Sequence, residues 1–354
     1  VDAATVRTGA IDREVADMEP RHLIIGTLLV VGAALHLGAS KQDGEKLVFH
    51  GPYQHENLAV FVITGDESMP SNAPIITLAE AMSSNKIIVH ETGNVGTLAV
   101  ENTDDEVAVL IQAGEIVKGG RQDRVLAVDL LVRPKSGRVE IASFCVESGR
   151  WSKRAGEDAS SFSGSHHMIS GKGLRQAVKS RKAQGEVWQE VDNEQGKLSE
   201  NVGKDVRSAR SASSFQLTLE DAELAKMTER YTAAIVDSVA RHDDAVGVAV
   251  CVNGEFRTAD VYGSRKIFSD QWPRLLEAAV HEAIADLDPD NPSPTPGDDW
   301  QAELLGTEAV DEQHETASGG VDRIRRTKAN LNEYETRDTV NGGVIHQSWD
   351  QRVE

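Results

Sequence analysis

Aromatic side chains are scarce in this 354-residue chain, at 5%, so its core must be built from Val, Ile, Leu and Ala. Cysteine is nearly absent. Cys145 and Cys251 are the two present, too few for a zinc site on their own and enough for one disulfide at most. Each lies in an apolar, strand-like run, which favours two buried thiols over a bridge. Positive charge is short too, with 37 Lys+Arg against 57 Asp+Glu and a net charge of −20. That balance argues against nucleic acid or an anionic membrane surface as a partner. Familiar catalytic signatures are also missing. There is no P-loop, and Gly119-Gly120 is followed by charged residues rather than a helix start, so no dinucleotide fingerprint forms. Ser163-Gly164-Ser165 lacks the strand–turn–helix setting of a nucleophile elbow. His281-Glu282 begins like a zinc-protease helix, but the second histidine is absent and Asp286 lies about 140° around the helix, so no metal is expected. His166-His167 reads as a solvated pair, and no internal repeat is present.

What is present begins with one apolar run, Leu23 to Leu35, preceded by Arg21 and followed by Gly38-Ala39-Ser40. It is short for a spanning helix and matches a signal-peptide core cut after Ser40. Translation starting at Met18 would make Arg21 the charged flank. The alternatives are an uncleaved anchor over residues 23–37 or a buried core helix. Residues 1–40 are therefore expected to direct the protein out of the cytoplasm, with membrane contact only through that segment if it is uncleaved.

Residues 41–287 read as a single α+β domain. Leu58–Thr64 is a buried strand, and Thr77 with Glu80 opens a short helix as a capping box. From Lys86 to Val146 the texture is β, punctuated by turn residues. Residues 152–214 form a Ser/Gly/Lys-rich, partly helical excursion. Thr218 and Asp221 open a helix to about residue 241, with a stripe through Leu224, Met227, Tyr231, Ile235 and Val239. Ala245–Val252, Asn253-Gly254 and Glu255–Tyr262 make a hairpin whose turn requires positive φ at both central positions. Arg265 to Leu287 reads as a helix. The expected fold is therefore a mostly antiparallel, sandwich-like β core with flanking helices. Residues 286–354 hold 16 Asp/Glu against 6 Lys/Arg, half of the net charge. With four prolines at its start, the stretch 288–354 reads as a disordered acidic tail.

The densest chemistry lies between Gly114 and Trp151. Glycines flank Glu115, Gly119-Gly120-Arg121-Gln122-Asp123-Arg124 and Glu147-Ser148-Gly149-Arg150-Trp151. The glycines let backbone approach a ligand closely. Arg121, Arg124 and Arg150 suit a phosphate or carboxylate, held bidentately. Glu115 and Glu147 are candidate general acid and base if their environments separate them. Trp151 could stack on a base or sugar. The competing reading makes the same Arg–Glu pairs ties between strand ends.

These residues also carry a resemblance. Glu91, Gly96, Gly114-Glu115, the Gly119–Arg124 run, Cys145-Val146-Glu147 with Gly149-Arg150-Trp151, and a third block from Val246-Gly247 to Leu276 resemble the ADP-ribosylglycohydrolase- and rhodanese-phosphatase-associated protein domain. The resemblance spans roughly residues 45–285. Where that family commonly has Ala and Asn, this chain has Gly120 and Asp123. The family name records genomic neighbours, so it implies a setting near ADP-ribose, NAD-derived or phosphate-ester metabolism rather than a reaction. The first expectation is an exported domain that binds, and could process, a small anionic ligand such as an ADP-ribose-like nucleotide-sugar or a phosphate ester. Ligand contacts are assigned to Gly119, Gly120, Arg121, Gln122, Arg124, Arg150 and Trp151. The alternatives are a non-catalytic cell-envelope scaffold and an extracellular carbohydrate-binding protein. No cofactor and no oligomeric state can be read from the sequence.

Overall fold

A computed structural model describes residues 47–69, 74–150, 152, 161–317 and 319–353. In chain order the first elements are β1 (Val48–His55), β2 (Leu58–Thr64), β3 (Ile75–Thr77), α1 (Leu78–Ser83), β4 (Ile87–Glu91), β5 (Thr97–Asn102) and β6 (Ala108–Ile111). Then come β7 (Glu115–Gly119), β8 (Arg124–Leu126), β9 (Leu130–Val132), β10 (Gly137–Cys145), β11 (Phe162–Met168), α2 (Lys172–Gln176), a π-helical turn (Ala177–Arg181), α3 (Gln184–Val202) and α4 (Phe215–Leu219). The remainder is α5 (Ala222–Ile235), a 3-10 turn (Val236–Arg241), β12 (Ala245–Val252), β13 (Glu255–Tyr262), α6 (Arg265–Ala285), α7 (Asp299–Leu305), β14 (Asp311–Ala317), β15 (Val321–Thr327), β16 (Leu331–Asp338) and β17 (Val344–Gln351).

The strands make three sheets. Eight run in the order β1-β2-β12-β13-β17-β16-β15-β14, six in the order β11-β7-β8-β10-β5-β4, and three in the order β3-β6-β9. Among the described residues every strand pair is antiparallel except β3 with β6. This is the expected α+β class with a mostly antiparallel core and flanking helices.

Strand β2 is buried along its whole length, because both faces of the large sheet are covered. Leu58, Val60 and Val62 join Val248, Val250 and Val252 of β12 in the main core, beneath Leu276, Val280 and Ile284 of α6. The alternate residues Ala59, Phe61 and Ile63 enter a second core on the opposite face. That period-two division is what a pleated strand imposes. A third core, including Leu98, Val100, Val109 and Ile141, fills the module of the smaller sheets.

Local signals held where the physics is local. Asn253 and Gly254 have φ of 55° and 78°, as the hairpin turn demands. Thr77 caps α1 by accepting from the Glu80 backbone N–H at 3.3 Å. The helix expected from Thr218 is divided. Asp221, not Thr218, caps α5, accepting from the N–H groups of Glu223 and Leu224, while Thr218 ends up buried within the preceding α4. The excursion over 152–214 is more than helical, since it contains β11, which pairs with β7. Both cysteine thiols are free and buried.

The largest difference lies at the carboxyl end. Residues expected to be a disordered tail form α7 and four strands, and β17 pairs with β13 in register Tyr262↔His346 to Thr258↔Asp350. The described residues accordingly belong to one compact unit reaching to the end of the chain. Two physical reasons account for the miss. The acidic side chains are paired across strands, as with Arg326, which meets Glu312, Glu333 and Glu335. The segment also supplies apolar anchors: Trp300 and Leu304 of α7 cover the second core, where the Trp300 ring stacks on Phe256 at 5.0 Å and meets Phe49 and Phe61 edge-on at 5.3 Å.

The export segment over residues 1–40, the start at Met18 and Trp151 lie outside the described residues. No described helix is long and apolar enough to cross a membrane.

Candidate functional site

The glycine-rich stretch folds into a charged knot at the ends of β7, β8 and β10. Gly119 and Gly120 take φ of 122° and 57°, which reverses the chain after β7. Asp123 holds this turn: its carboxylate accepts the Gly119 N–H at 3.0 Å and the Ser214 hydroxyl at 3.1 Å. Arg124 is fully buried. Its Nη1 reaches the Cys145 sulfur at 2.9 Å and the Gln122 carbonyl at 3.4 Å, with Glu91 at 3.7 Å from Nη2. Gln122 donates to the Glu147 carbonyl at 2.9 Å. Glu147 accepts from the Arg150 Nε–H at 2.7 Å and from the Ser211 hydroxyl at 2.5 Å, and its other carboxylate oxygen lies 2.6 Å from Arg150 Nη2 as an ion-pair contact. The Arg150 Nε bond is charge-assisted, which makes it stronger than one between neutral groups. Arg121 is exposed, and its backbone N–H donates to Glu91 at 3.2 Å.

The structure thus brings Gln122, Arg124, Glu147 and Arg150 together around the Gly119-Gly120 turn and places Glu115 elsewhere. Glu115 is fully buried, forms an ion pair with Arg274 of α6 and accepts the Gln112 N–H at 2.8 Å. Arg274 also donates to the Ser165 carbonyl at 2.5 Å. This group ties β7, β11 and α6 together. The two candidate glutamates are therefore held by separate arginines from different elements. Burial pushes the Cys145 thiol up to about 11 against the pull of Arg124, so the sulfur is no thiolate nucleophile near neutrality.

The turn makes a measurable demand. A Cβ at Gly120 would lie 2.3 Å from the Phe162 ring, whereas one at Gly93, which also has positive φ (+81°), meets nothing within 4 Å. Gly120→Ala is expected to cost about 1–3 kcal/mol for overpacking beyond the left-handed strain it shares with Gly93→Ala. Urea unfolding of both variants checks this, and equal losses would refute the steric account.

A second polar assembly, unforeseen from the sequence, is built on the inner face of the carboxyl-terminal strands. Register places Thr336 opposite His346 and Tyr334 opposite Ser348, then Arg323 opposite Thr336 and Arg325 opposite Tyr334. The π-helical turn after α2 faces them and presents Lys179. Such turns insert one extra residue and recur at functional sites. Between these elements and Ala127–Asp129 lies a cavity of about 190 Å³.

Two cation devices organise it. His346 sits between carboxylates, Nδ1 at 2.6 Å from Asp129 and Nε2 at 2.9 Å from Asp260, and stacks on Tyr262 at 4.6 Å. Burial alone would lower the imidazole pKa, but the Asp129 charge and the hydrogen bonds to both aspartates override it and hold the group up at about 9. Burial would likewise raise Asp129, yet His346 keeps it down at about 2. Asp129 also accepts from the Ala113 N–H at 2.7 Å and from Thr336 at 3.0 Å. Lys179 lies 2.7 Å from Asp350 and 4.2 Å above the Tyr334 ring. Burial pulls its pKa down, and Asp350 more than restores it, so Lys179 is a fixed cation rather than a neutral nucleophile.

The cavity is lined by four cations, Lys179, Lys182, Arg323 and Arg325, and by the carboxylates of Asp129, Glu315 and Glu335. Arg323 is committed to Glu315 at 2.6 Å and to the Asp129 carbonyl at 3.2 Å. Glu335 is committed to Arg326 and Arg337. Arg325 differs. It lies 5.9 Å from the Tyr334 ring centre, and among the described residues its side chain makes no hydrogen bond and no ion pair; its Nε is buried and unmet, as is that of Arg323. The sequence marks none of these residues as a candidate, because the strands bearing most of them have the composition of a tail. A usable signal was present in the period-two pattern Arg323-x-Arg325, Tyr334-x-Thr336 and His346-x-Ser348-x-Asp350, separated by Asn341-Gly342-Gly343.

A family model described as the ARG and Rhodanese-Phosphatase-superfamily-associated Protein domain matches residues 46–349. The match extends past the roughly 45–285 of the motif resemblance and takes in β14–β16, β17 as far as Trp349, and the residues that line the cavity. No curated protein and no solved structure matches the chain.

Proposed function

The chain belongs to that family, and from this premise we propose that it binds a small anionic ligand, of the phosphate-ester or ADP-ribose-like class, in the cavity beside Arg325. The observation that carries the reading is the buried Arg325 Nε without a hydrogen-bond partner. A buried donor left unmade is costly, and a charged one more so. An anion entering the cavity would satisfy it in the geometry that guanidinium suits best. Lys182 adds a second cation at the rim, and in a chain of net charge −20 a locally positive concavity is a device for attracting one particular anion. In this reading the Gly119–Arg150 knot supports the fold around the site, and the fixed cations Lys179 and His346 shape the wall.

Thermal-shift and calorimetric titration with phosphate esters and ADP-ribose test the proposal. Arg325→Gln is expected to weaken binding by about 1.5–3 kcal/mol, roughly ten- to hundredfold, while leaving the unliganded melting temperature close to that of the parent. Binding untouched by that substitution would exclude the cavity as the site.

A further inference from the structure

We infer that the ligand carries one phosphomonoester on one sugar-sized body, and that a second phosphate or a nucleoside is not part of what the cavity recognises; this rests on the reading of the cavity as an anion site. Charge supplies the first argument. Of the four lining cations, Lys179 is neutralised by Asp350 and Arg323 by Glu315. Lys182 and Arg325 remain without an ion pair among the described residues. Two cations match one phosphomonoester, which carries about −1.5 to −2 at neutral pH. A second phosphate would find no cation left and would face Glu315 instead.

Size supplies the second argument. A volume of about 190 Å³ is below the roughly 300–1,000 Å³ that encloses a drug-sized ligand. A dinucleotide would leave most of itself in solvent.

Register supplies the third. Gln313 lies opposite Arg325, and Glu315 opposite Arg323. Glu315 is therefore the diagonal neighbour of Arg325, a separation of about 7–8 Å on adjacent strands. Long side chains at that spacing reach the two ends of a single phosphorylated sugar. Arg325 and Lys182 take the phosphate, while the Glu315 carboxylate and the Gln313 carboxamide accept from the hydroxyls, the role acidic side chains play toward ribose elsewhere.

The test is calorimetric titration of the full chain with ribose phosphate, inorganic phosphate, ribose and ADP-ribose, repeated for Glu315→Gln and Arg325→Gln. Ribose phosphate is expected to bind at least about tenfold tighter than phosphate or ribose, with ADP-ribose no tighter. Glu315→Gln should weaken ribose phosphate while inorganic phosphate binds as tightly or tighter, since the substitution also releases Arg323; a general loss of folding would weaken both. ADP-ribose binding through Arg325 without comparable ribose phosphate binding would overturn the inference and leave the anion site standing. Phosphate alone matching ribose phosphate would also overturn it. Failure of all four ligands to bind would remove the anion-site reading itself, and this inference with it.

Discussion

A chain ended after Gly297 is expected not to fold cooperatively. The cut removes α7 and β14–β17, leaving β13 as a bare sheet edge where β17 had paired over Thr258–Tyr262. It strips Trp300, Leu304, Leu331 and Trp349 from the second core and Val321 and Ile345 from the main one. Truncating one buried tryptophan to alanine costs about 3–5 kcal/mol, and a whole domain has about 5–15 kcal/mol to lose. The cut also orphans buried charges: Asp129 and Asp260 lose His346, and Lys179 and Arg175 lose Asp350. Size-exclusion chromatography, near-ultraviolet circular dichroism and urea unfolding would read the outcome. A soluble, cooperatively unfolding product with the parent's midpoint would mean that the segment is the dispensable tail its composition suggests.

His346→Ala is expected to destabilise the fold by about 3–5 kcal/mol, because removing one partner of a buried ion cluster leaves the others uncompensated. The effect should depend on pH in a definite direction. The folded-state pKa of His346, about 9, lies above the unfolded value of about 6.5. Its contribution is therefore complete below about 6.5 and is lost as the pH rises through 9, on the order of 3 kcal/mol in all. Asp129 has the opposite sign. Its folded value of about 2 lies below the ordinary aspartate value of 3.8, so its contribution is present above 3.8 and lost as the pH falls toward 2. The clamp is intact from about pH 4 to 6.5 and loosens toward alkaline pH. Urea midpoints at pH 6 and pH 9.5 for the parent and for His346→Gln test the assignment. The parent should lose stability over that interval and the variant much less; equal slopes would refute it.

How much of this was legible in the sequence depends on how far apart the interacting residues lie. The Asn253-Gly254 hairpin, the Thr77 cap and helix α6 were readable because a few consecutive residues decide φ, a cap bond or an apolar stripe. The Gly119–Arg124 and Glu147–Arg150 pieces were readable as one charged cluster, since strand ends carry them toward one another. Glu115 was misjoined to that cluster because nothing near it in sequence shows that Arg274, on a helix some 159 positions away, would take its charge. The carboxyl-terminal strands were missed for a related reason. Their inward face is polar, with Asp350, Ser348, His346, Tyr334 and Thr336 where an ordinary strand would place valines, so binary patterning found no core side. Composition averages charge over a segment and cannot register that Glu312, Glu333 and Glu335 share one arginine.

The sequence by itself determined the fold class, the Asn253-Gly254 turn, the Thr77 cap and the family motif, all of which rest on local backbone preference and short-range bonding. Only the tertiary structure decided which charges cancel. It committed Arg124, Arg150 and Arg274 to buried carboxylates and fixed His346 between two aspartates. It left Arg325 facing a cavity with its buried Nε unmet, because ion pairing is settled by three-dimensional neighbours and not by spacing along the chain.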